Sequence, residues 1–94
     1  MSTLVVDLRV SQGRTQKLCE AYVSVFRPAI SRQRGFEFVT LLEPLRGDRF
    51  VLLIGFASED ERLAWVASDD HQKAWPAIEF CCDHVEAATF EAVT

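Results

Sequence analysis

The segment from Arg49 to Phe56 predicts a β-strand that is apolar on both of its faces. One face would carry Phe50, Leu52, Ile54 and Phe56, and the other Val51 and Leu53. Successive side chains of a strand point to opposite faces, and an antiparallel sheet covered by helices on one face normally presents polar residues on the other. Because a large apolar outer face is unusual for a monomer, the pattern predicts a homodimer packed sheet against sheet.

Three further strands and two helices are indicated by the spacing of apolar residues. We expect strands over Leu4–Val10, Phe36–Glu43 and Val85–Val93, and helices over 14–31 and from Ser58 to near Cys82. On the second strand, Phe36, Phe38 and Leu42 should share one face, opposite Val39 and Leu41. The order β-α-β-β-α-β is that of the ferredoxin-like split βαβ fold, an α+β arrangement with a four-stranded antiparallel sheet. Residues 1–94 should form this single domain.

The first helix carries two residues that affect its end. Pro28 lacks a backbone N–H and should kink or tighten the last turn, and Gly35 should stop the helix. The segment Pro44–Asp48 is rich in turn-forming residues and predicts a hairpin connection between the second and third strands.

The second helix carries two start signals. Ser58 with Glu61 three residues later forms a capping box, and Ser68, followed by two Asp, is a second N-cap candidate. Pro76 should bias Trp75 away from helical geometry and place it at a helix break. A broken pair of helices is therefore expected rather than one long rod.

Composition narrows the class of protein. A net charge of −4 without a basic block argues against nucleic acid as a partner. The apolar runs are too short to span a bilayer, and the start of the chain has no basic region typical of a secretory signal, so we expect no membrane association and a cytoplasmic location. Three Cys, two of them adjacent, fit reduced thiols better than disulfides.

Few side chains of this chain are candidates for metal binding, nucleophilic attack or proton transfer. Cys81 and Cys82 beside His84 lack the spacing of a metal site and the context of a nucleophile, so we expect no bound metal. His71 can change charge near neutral pH and could take a proton from a phenol, or it could be a solvated surface residue. Trp65 either packs in the core or walls a ligand pocket.

One spacing pattern runs from the start of the second strand through the second helix. It consists of the Gly35-Phe36 entry to the strand, then Phe56, Ser58, Trp65, Ser68, His71 and Trp75. This pattern resembles that of a known family, the antibiotic biosynthesis monooxygenases. The likeness extends from Leu4 to Val93 and implies a dimeric α+β barrel built of two ferredoxin-like units. The family includes cofactor-free oxygenases of phenols and quinols, haem-degrading enzymes and isomerases, so fold alone does not imply one activity.

The haem-degrading branch is characterised by an Asn on the first strand, a Trp on the second helix and a haem-ligating His ten residues after it. Here Trp65 is followed ten residues later by Trp75, and the chain contains no Asn. His71, six residues after Trp65, projects from a different helical face. Aromatic oxygenases of the family also commonly use an Asn or another polar group with a Trp in the pocket, and of these this chain has the Trp but no Asn.

The oxygenase branch nevertheless implies a set of site residues and no cofactor. Catalytic roles would fall to His71 and Trp65, with substrate binding by Tyr22, Phe26, Phe56 and Trp75. The substrate, a small aromatic, would lose a proton and its anion would reduce O₂ directly. The alternative is a non-catalytic dimeric barrel that binds a small hydrophobic metabolite, because each of these aromatic residues also fits the core.

Overall fold

The computed structural model describes residues 1–93 and contains one four-stranded sheet with its helices packed on one face. In chain order the elements are β1 (Ser2–Val10), α1 (Thr15–Ala21), α2 (Arg27–Ser31), β2 (Phe36–Leu42), β3 (Arg49–Phe56), α3 (Glu59–Ala67), α4 (Asp69–Glu79) and β4 (Cys82–Glu91). The strand order is β2-β3-β1-β4, and every pairing is antiparallel. The ferredoxin-like α+β fold is confirmed. Thr94, the last position of the expected domain, lies outside the described residues.

The core lies between the sheet and the helices. Alternate residues of β1 and β3 are buried against the helices, among them Leu8 and Leu52, neither of which is exposed to solvent. From the helices, Leu18, Ile30 and Ile78 complete the packing. Full burial of such a side chain contributes about 1.5–3 kcal/mol relative to leaving it exposed, so this layer is the main source of stability.

The first helix spans the predicted range, but its middle is a π-helical turn over Tyr22–Phe26. The N–H of Arg27 donates to the carbonyl of Tyr22, five residues earlier. Pro28 follows immediately; it has no N–H to donate, and its ring would clash with the carbonyl four residues before it. The expected tightening of the last turn at Pro28 is wrong, because the turn before Pro28 is wider than that of an α-helix and the last turn, Arg27–Ser31, is α-helical.

The entry to β2 departs from simple alternation. The pairing of β2 with β3 shifts between Phe36 and Phe38, so that Phe36 lies opposite Phe56 and Phe38 lies opposite Gly55. This bulge places Phe36 against the core, on the same side as Val39. The predicted grouping of Phe36 with Phe38 on one face is therefore wrong, because an extra residue in a strand reverses the faces that precede it.

The second helix is a broken pair, as predicted, and the break is at Ser68. Trp75 and Pro76 lie inside α4, so the expected break at Trp75 is wrong. The hydroxyl of Ser68 caps the new helix, whereas Pro76 is tolerated within it because neighbouring residues such as Ile78 are anchored in the core. The boundaries of β4 also differ from the prediction, since pairing with β1 already begins at Cys82.

The outer face of the sheet, opposite the helices, is largely apolar in its centre. Val5 of β1 lies between Leu53 of β3 and Ala88 of β4, and the ring of Phe38 covers Gly55. One end of this face is charged: Arg49 Nη2 lies 2.6 Å from Asp7 Oδ1, close enough for an ion pair although outside hydrogen-bond geometry. Within residues 1–93, no helix is long and apolar enough to cross a membrane.

Candidate functional site

A cavity of about 280 Å³ lies between the sheet and the two halves of the second helix. Its sheet side is formed by Leu4, Val6, Ile54 and Val85, and its helical side includes Phe26, Trp65, His71 and Trp75. A larger depression of about 440 Å³ on the surface is lined mainly by polar and charged residues such as Arg34 and Asp60. Small-molecule sites are usually apolar concavities with a few polar groups, so the smaller cavity is the candidate site.

Ser68 brings the ends of α3 and α4 together at this cavity. Its hydroxyl donates to the carbonyl of Trp65 at 2.6 Å and accepts from the N–H of His71 at 3.1 Å. One side chain therefore ends α3 and begins α4. Because both bonds are local, Trp65 and His71 are held on the same wall of the cavity, with ring centroids 5.0 Å apart.

The aromatic rings form a cluster around His71. Its imidazole is nearly perpendicular to the indole of Trp65, at an interplanar angle of 79°, and nearly parallel to that of Trp75, at 16° and a centroid distance of 6.1 Å. Phe26, from the π-helical turn, packs edge-on against both indoles at 5.8 Å and 6.2 Å. Edge-to-face pairs are a favourable geometry for aromatic rings, so these contacts stabilise the aromatic wall of the cavity.

The imidazole of His71 is partly buried and lacks a partner for one nitrogen. Nδ1 is shielded from solvent and makes no hydrogen bond with any residue in 1–93. Burial lowers the pKa of His71 below its ordinary value of 6.5, since desolvation disfavours the charged ring. The neutral form therefore predominates at pH 7 and can accept a proton from a bound ligand.

Four of the six residues singled out in the sequence line this cavity: Phe26, Trp65, His71 and Trp75. Tyr22 and Phe56 do not. The hydroxyl of Tyr22 donates to the carbonyl of Val39 at 3.3 Å, and the ring is 8% exposed. Phe56 is fully buried against Phe36.

Sequence reasoning missed Arg62, which also lines the cavity. Its Nε and Nη2 donate to the two carboxylate oxygens of Glu59 at 2.7 Å and 2.8 Å, and the hydroxyl of Ser2 donates to the same carboxylate at 2.6 Å. Hydrogen bonds from Arg62 and Ser2 lower the pKa of Glu59 to about 2. The three-residue spacing of Glu59 and Arg62 on a helix could have predicted the ion pair between them. It could not have predicted that Arg62 lines the cavity.

Cys82 and Trp75 bear on two other kinds of chemistry, nucleophilic attack by a thiol and ligation of haem iron. Burial raises the pKa of Cys82 to about 11, so its thiol is protonated at neutral pH. In the described part of the chain, no three His, Cys, Asp or Glu side chains are grouped to hold a metal ion. The indole nitrogen of Trp75 is a donor only and cannot ligate haem iron as a His at that position would.

Comparison with known proteins identifies the family. The family model described as antibiotic biosynthesis monooxygenase matches residues 1–77. A search of curated proteins found no match.

Solved structures show the same fold at low sequence identity. SnoaB, a cofactor-independent oxygenase from Streptomyces nogalater, superposes with a TM-score of 0.88 at 20% identity, covering 99% of this chain and 93% of that chain. A protein from Bordetella bronchiseptica that carries the family's name superposes with a TM-score of 0.87 at 19% identity. The match covers 99% of this chain and 97% of that chain. A conserved protein from Methanosarcina mazei superposes with a TM-score of 0.83 at 15% identity. The match covers 95% of this chain and 89% of that chain.

These structural likenesses establish the fold, and the family model covers well over half of the sequence. The chain therefore belongs to the antibiotic biosynthesis monooxygenase family.

Proposed function

We propose that this protein is a cofactor-independent monooxygenase that oxidises a small electron-rich aromatic, a phenol or quinol, with O₂. The observation that carries the proposal is the partly buried imidazole of His71, which lines a cavity together with Trp65, Trp75 and Phe26 and whose pKa burial lowers. Family membership supports monooxygenase activity, and SnoaB, a relative in fold, is a cofactor-independent oxygenase.

In this proposal His71 acts as the general base. It removes the proton of a substrate hydroxyl, and the resulting anion is electron-rich enough to transfer electrons directly to O₂. Formation of a C–O bond gives a hydroperoxide, which loses water to leave a quinone. One oxygen atom remains in the product and the other leaves as water, so the substrate supplies all the electrons.

The aromatic wall has two roles in the same mechanism. Trp65, Trp75 and Phe26 stack against a flat ring and exclude water from the reacting carbon. Ala87 and Thr89 of β4 also line the cavity and are exposed, so they mark the side from which a ligand enters. A dry pocket strengthens the interaction of the substrate anion with nearby dipoles.

The test is oxygen uptake with a panel of hydroquinones and naphthols under metal-free conditions. For a substrate that is turned over, His71→Ala should lower kcat about a hundredfold or more, the usual contribution of a general base. For the wild type, kcat/KM should fall as the pH drops through the pKa of His71, which lies below 6.5.

Lys73→Ala is the matched control, because Lys73 is an exposed residue of the same helix and does not line the cavity. It should leave the rate unchanged. A His71→Ala variant as active as this control would remove His71 from the mechanism.

A second candidate function is non-catalytic binding of a small hydrophobic metabolite. It is favoured by the packing of Trp65 and Phe26, which are 3% and 1% exposed and serve the core as well as the cavity. Ligand binding without oxygen consumption across the whole panel would support this candidate against the oxygenase.

We also propose that the protein is a homodimer in which the outer faces of two sheets pack together. The proposal is supported by the apolar centre of that face and by the exposure of Leu42 and Phe90, at 45% and 54%. Light scattering should give twice the 10.6 kDa of one chain. A 10.6 kDa species at micromolar concentration would contradict it.

A further inference from the structure

Arg62 is the one formally charged side chain among the residues that line the cavity, all of which lie in the described part of the chain. Its side chain is only 12% exposed. A guanidinium cannot lose its proton in a protein, so a positive charge is permanently present at the wall of an otherwise apolar and aromatic site. The proposed proton transfer to His71 does not use this charge.

The hydrogen bonds of Arg62 leave one edge of the guanidinium free. Nε and Nη2, which form the side-on edge of the guanidinium, donate to the two carboxylate oxygens of Glu59 at 2.7 Å and 2.8 Å. Nη1 makes no hydrogen bond with any residue in 1–93, so its two hydrogens and the second hydrogen of Nη2 remain available. One hydrogen of Nη1 and the second hydrogen of Nη2 form the end-on edge, which matches the two oxygens of a second carboxylate.

Glu59 and Ser2 hold the guanidinium in place without a ligand. The hydroxyl of Ser2, a residue 1% exposed, donates to the Glu59 carboxylate at 2.6 Å. Ser2 is anchored in β1, so the carboxylate that orients Arg62 is itself tied to the sheet. A ligand anion would therefore meet a donor whose geometry is already set, which reduces the entropy lost on binding.

From this arrangement we infer that the cavity selects aromatic acids, with the ring against Trp65 and Trp75 and a carboxylate of the ligand bound end-on by Arg62. The inference rests on the proposed use of this cavity as the substrate site. It names the substrate class within the proposed reaction: an electron-rich hydroxyaromatic that carries a carboxylate. Arg62 is then the residue that determines specificity, while His71 handles the proton.

The experiment compares two probes that differ only in the carboxylate: 1,4-dihydroxy-2-naphthoate and 1,4-dihydroxynaphthalene. Binding is measured by titration calorimetry under anaerobic conditions, so that oxidation does not interfere. Wild-type protein should bind the carboxylate probe about tenfold or more tightly than the neutral one, as expected for hydrogen bonds to a charged group. Absence of any preference would overturn the inference.

Three variants identify the source of the preference. Arg62→Met should abolish it while leaving the affinity for the neutral probe within about threefold, since only the charged hydrogen bonds are lost. Arg62→Lys keeps the positive charge but loses the planar pair of donors that binds a carboxylate through two hydrogen bonds, so it should retain part of the preference. This variant keeps the test informative if the Met variant fails to fold. Arg34→Met is the control, because Arg34 is 96% exposed and lies outside the cavity.

Equal weakening of both probes by Arg62→Met would mean that Arg62 only supports the fold, and would overturn the inference. Oxygen uptake with both probes is measured separately. A carboxylate preference without oxygen uptake would support the inference while contradicting the proposed oxygenase. Oxidation of the neutral probe, at a rate that Arg62→Met does not change and with no preference for the carboxylate, would overturn the inference and leave the oxygenase standing.

Discussion

Ser68→Ala is expected to destabilise the protein more than removal of any ordinary surface hydroxyl, because Ser68 caps two helices at once. Its side chain accepts a hydrogen bond from the N–H of His71 and donates one to the carbonyl of Trp65. The substitution removes both bonds and creates no cavity. It also acts directly beside the candidate site, where Trp65 and His71 pack against each other.

The magnitude follows from these two bonds. Loss of an N-cap side chain costs about 1 kcal/mol, and loss of a neutral hydrogen bond to a carbonyl costs about 1 kcal/mol more. The total of about 2 kcal/mol is large for a domain of 94 residues. In a domain of this size each kcal/mol lowers Tm by about 4–8 °C, so a fall of roughly 8–16 °C is expected.

The assay is urea and thermal unfolding at one fixed protein concentration, followed by circular dichroism. Ser58→Ala is the matched control, since Ser58 caps α3 alone and lies away from His71. Both variants should lose stability, but only Ser68→Ala should also alter the tryptophan fluorescence of the aromatic cluster. A Ser68→Ala variant within about 0.5 kcal/mol of wild type would refute the idea that this hydroxyl joins the helices.

Two further predictions concern the backbone at Gly35 and the charge at Glu59. Gly35 has φ +79° and Gly13 has φ +81°, so an Ala at either position is strained and should cost about 1–3 kcal/mol in urea unfolding. A Cβ at Gly35 would in addition displace the carboxylate of Glu61, which accepts a hydrogen bond from Ser58, so Gly35→Ala should cost more than Gly13→Ala. Equal costs would contradict this. The folded-state pKa of Glu59 is lowered to about 2 from an ordinary 4.5, so its contribution to stability is complete above pH 4.5 and lost as the pH falls towards 2. Glu59→Gln should therefore flatten the fall in stability over that range, and an unchanged pH profile would show that the bond to Arg62 does not contribute.

Much of the fold was predictable because its signals are local. The capping box at Ser58 and the second cap at Ser68 each join atoms three residues apart, so they can be read directly from the sequence. The period-two pattern of Arg49–Phe56 likewise gave the correct bounds of β3. Trp65 and His71, which the family-level spacing singled out, both line the cavity.

The errors have a common origin in tertiary contacts. The bulge before Phe38 depends on how β2 pairs with β3, and no pattern within β2 itself reveals it. Pro76 remains helical because the rest of α4 is anchored in the core, although its local preference is to end the helix. Phe56 is an aromatic residue that was expected to bind substrate, but it is the last residue of the central strand β3, where it is buried against Phe36.

The sequence by itself determined the order of strands and helices, the two helix caps and the apolar outer face of the sheet, because each depends on residues close together in the chain. Only the tertiary structure places the partly buried His71 on the lining of a cavity, since this depends on how α4 packs on the sheet. The same is true of Arg62. Its carboxylate partner is held by Ser2, 57 residues from Glu59, and only folding brings the two together.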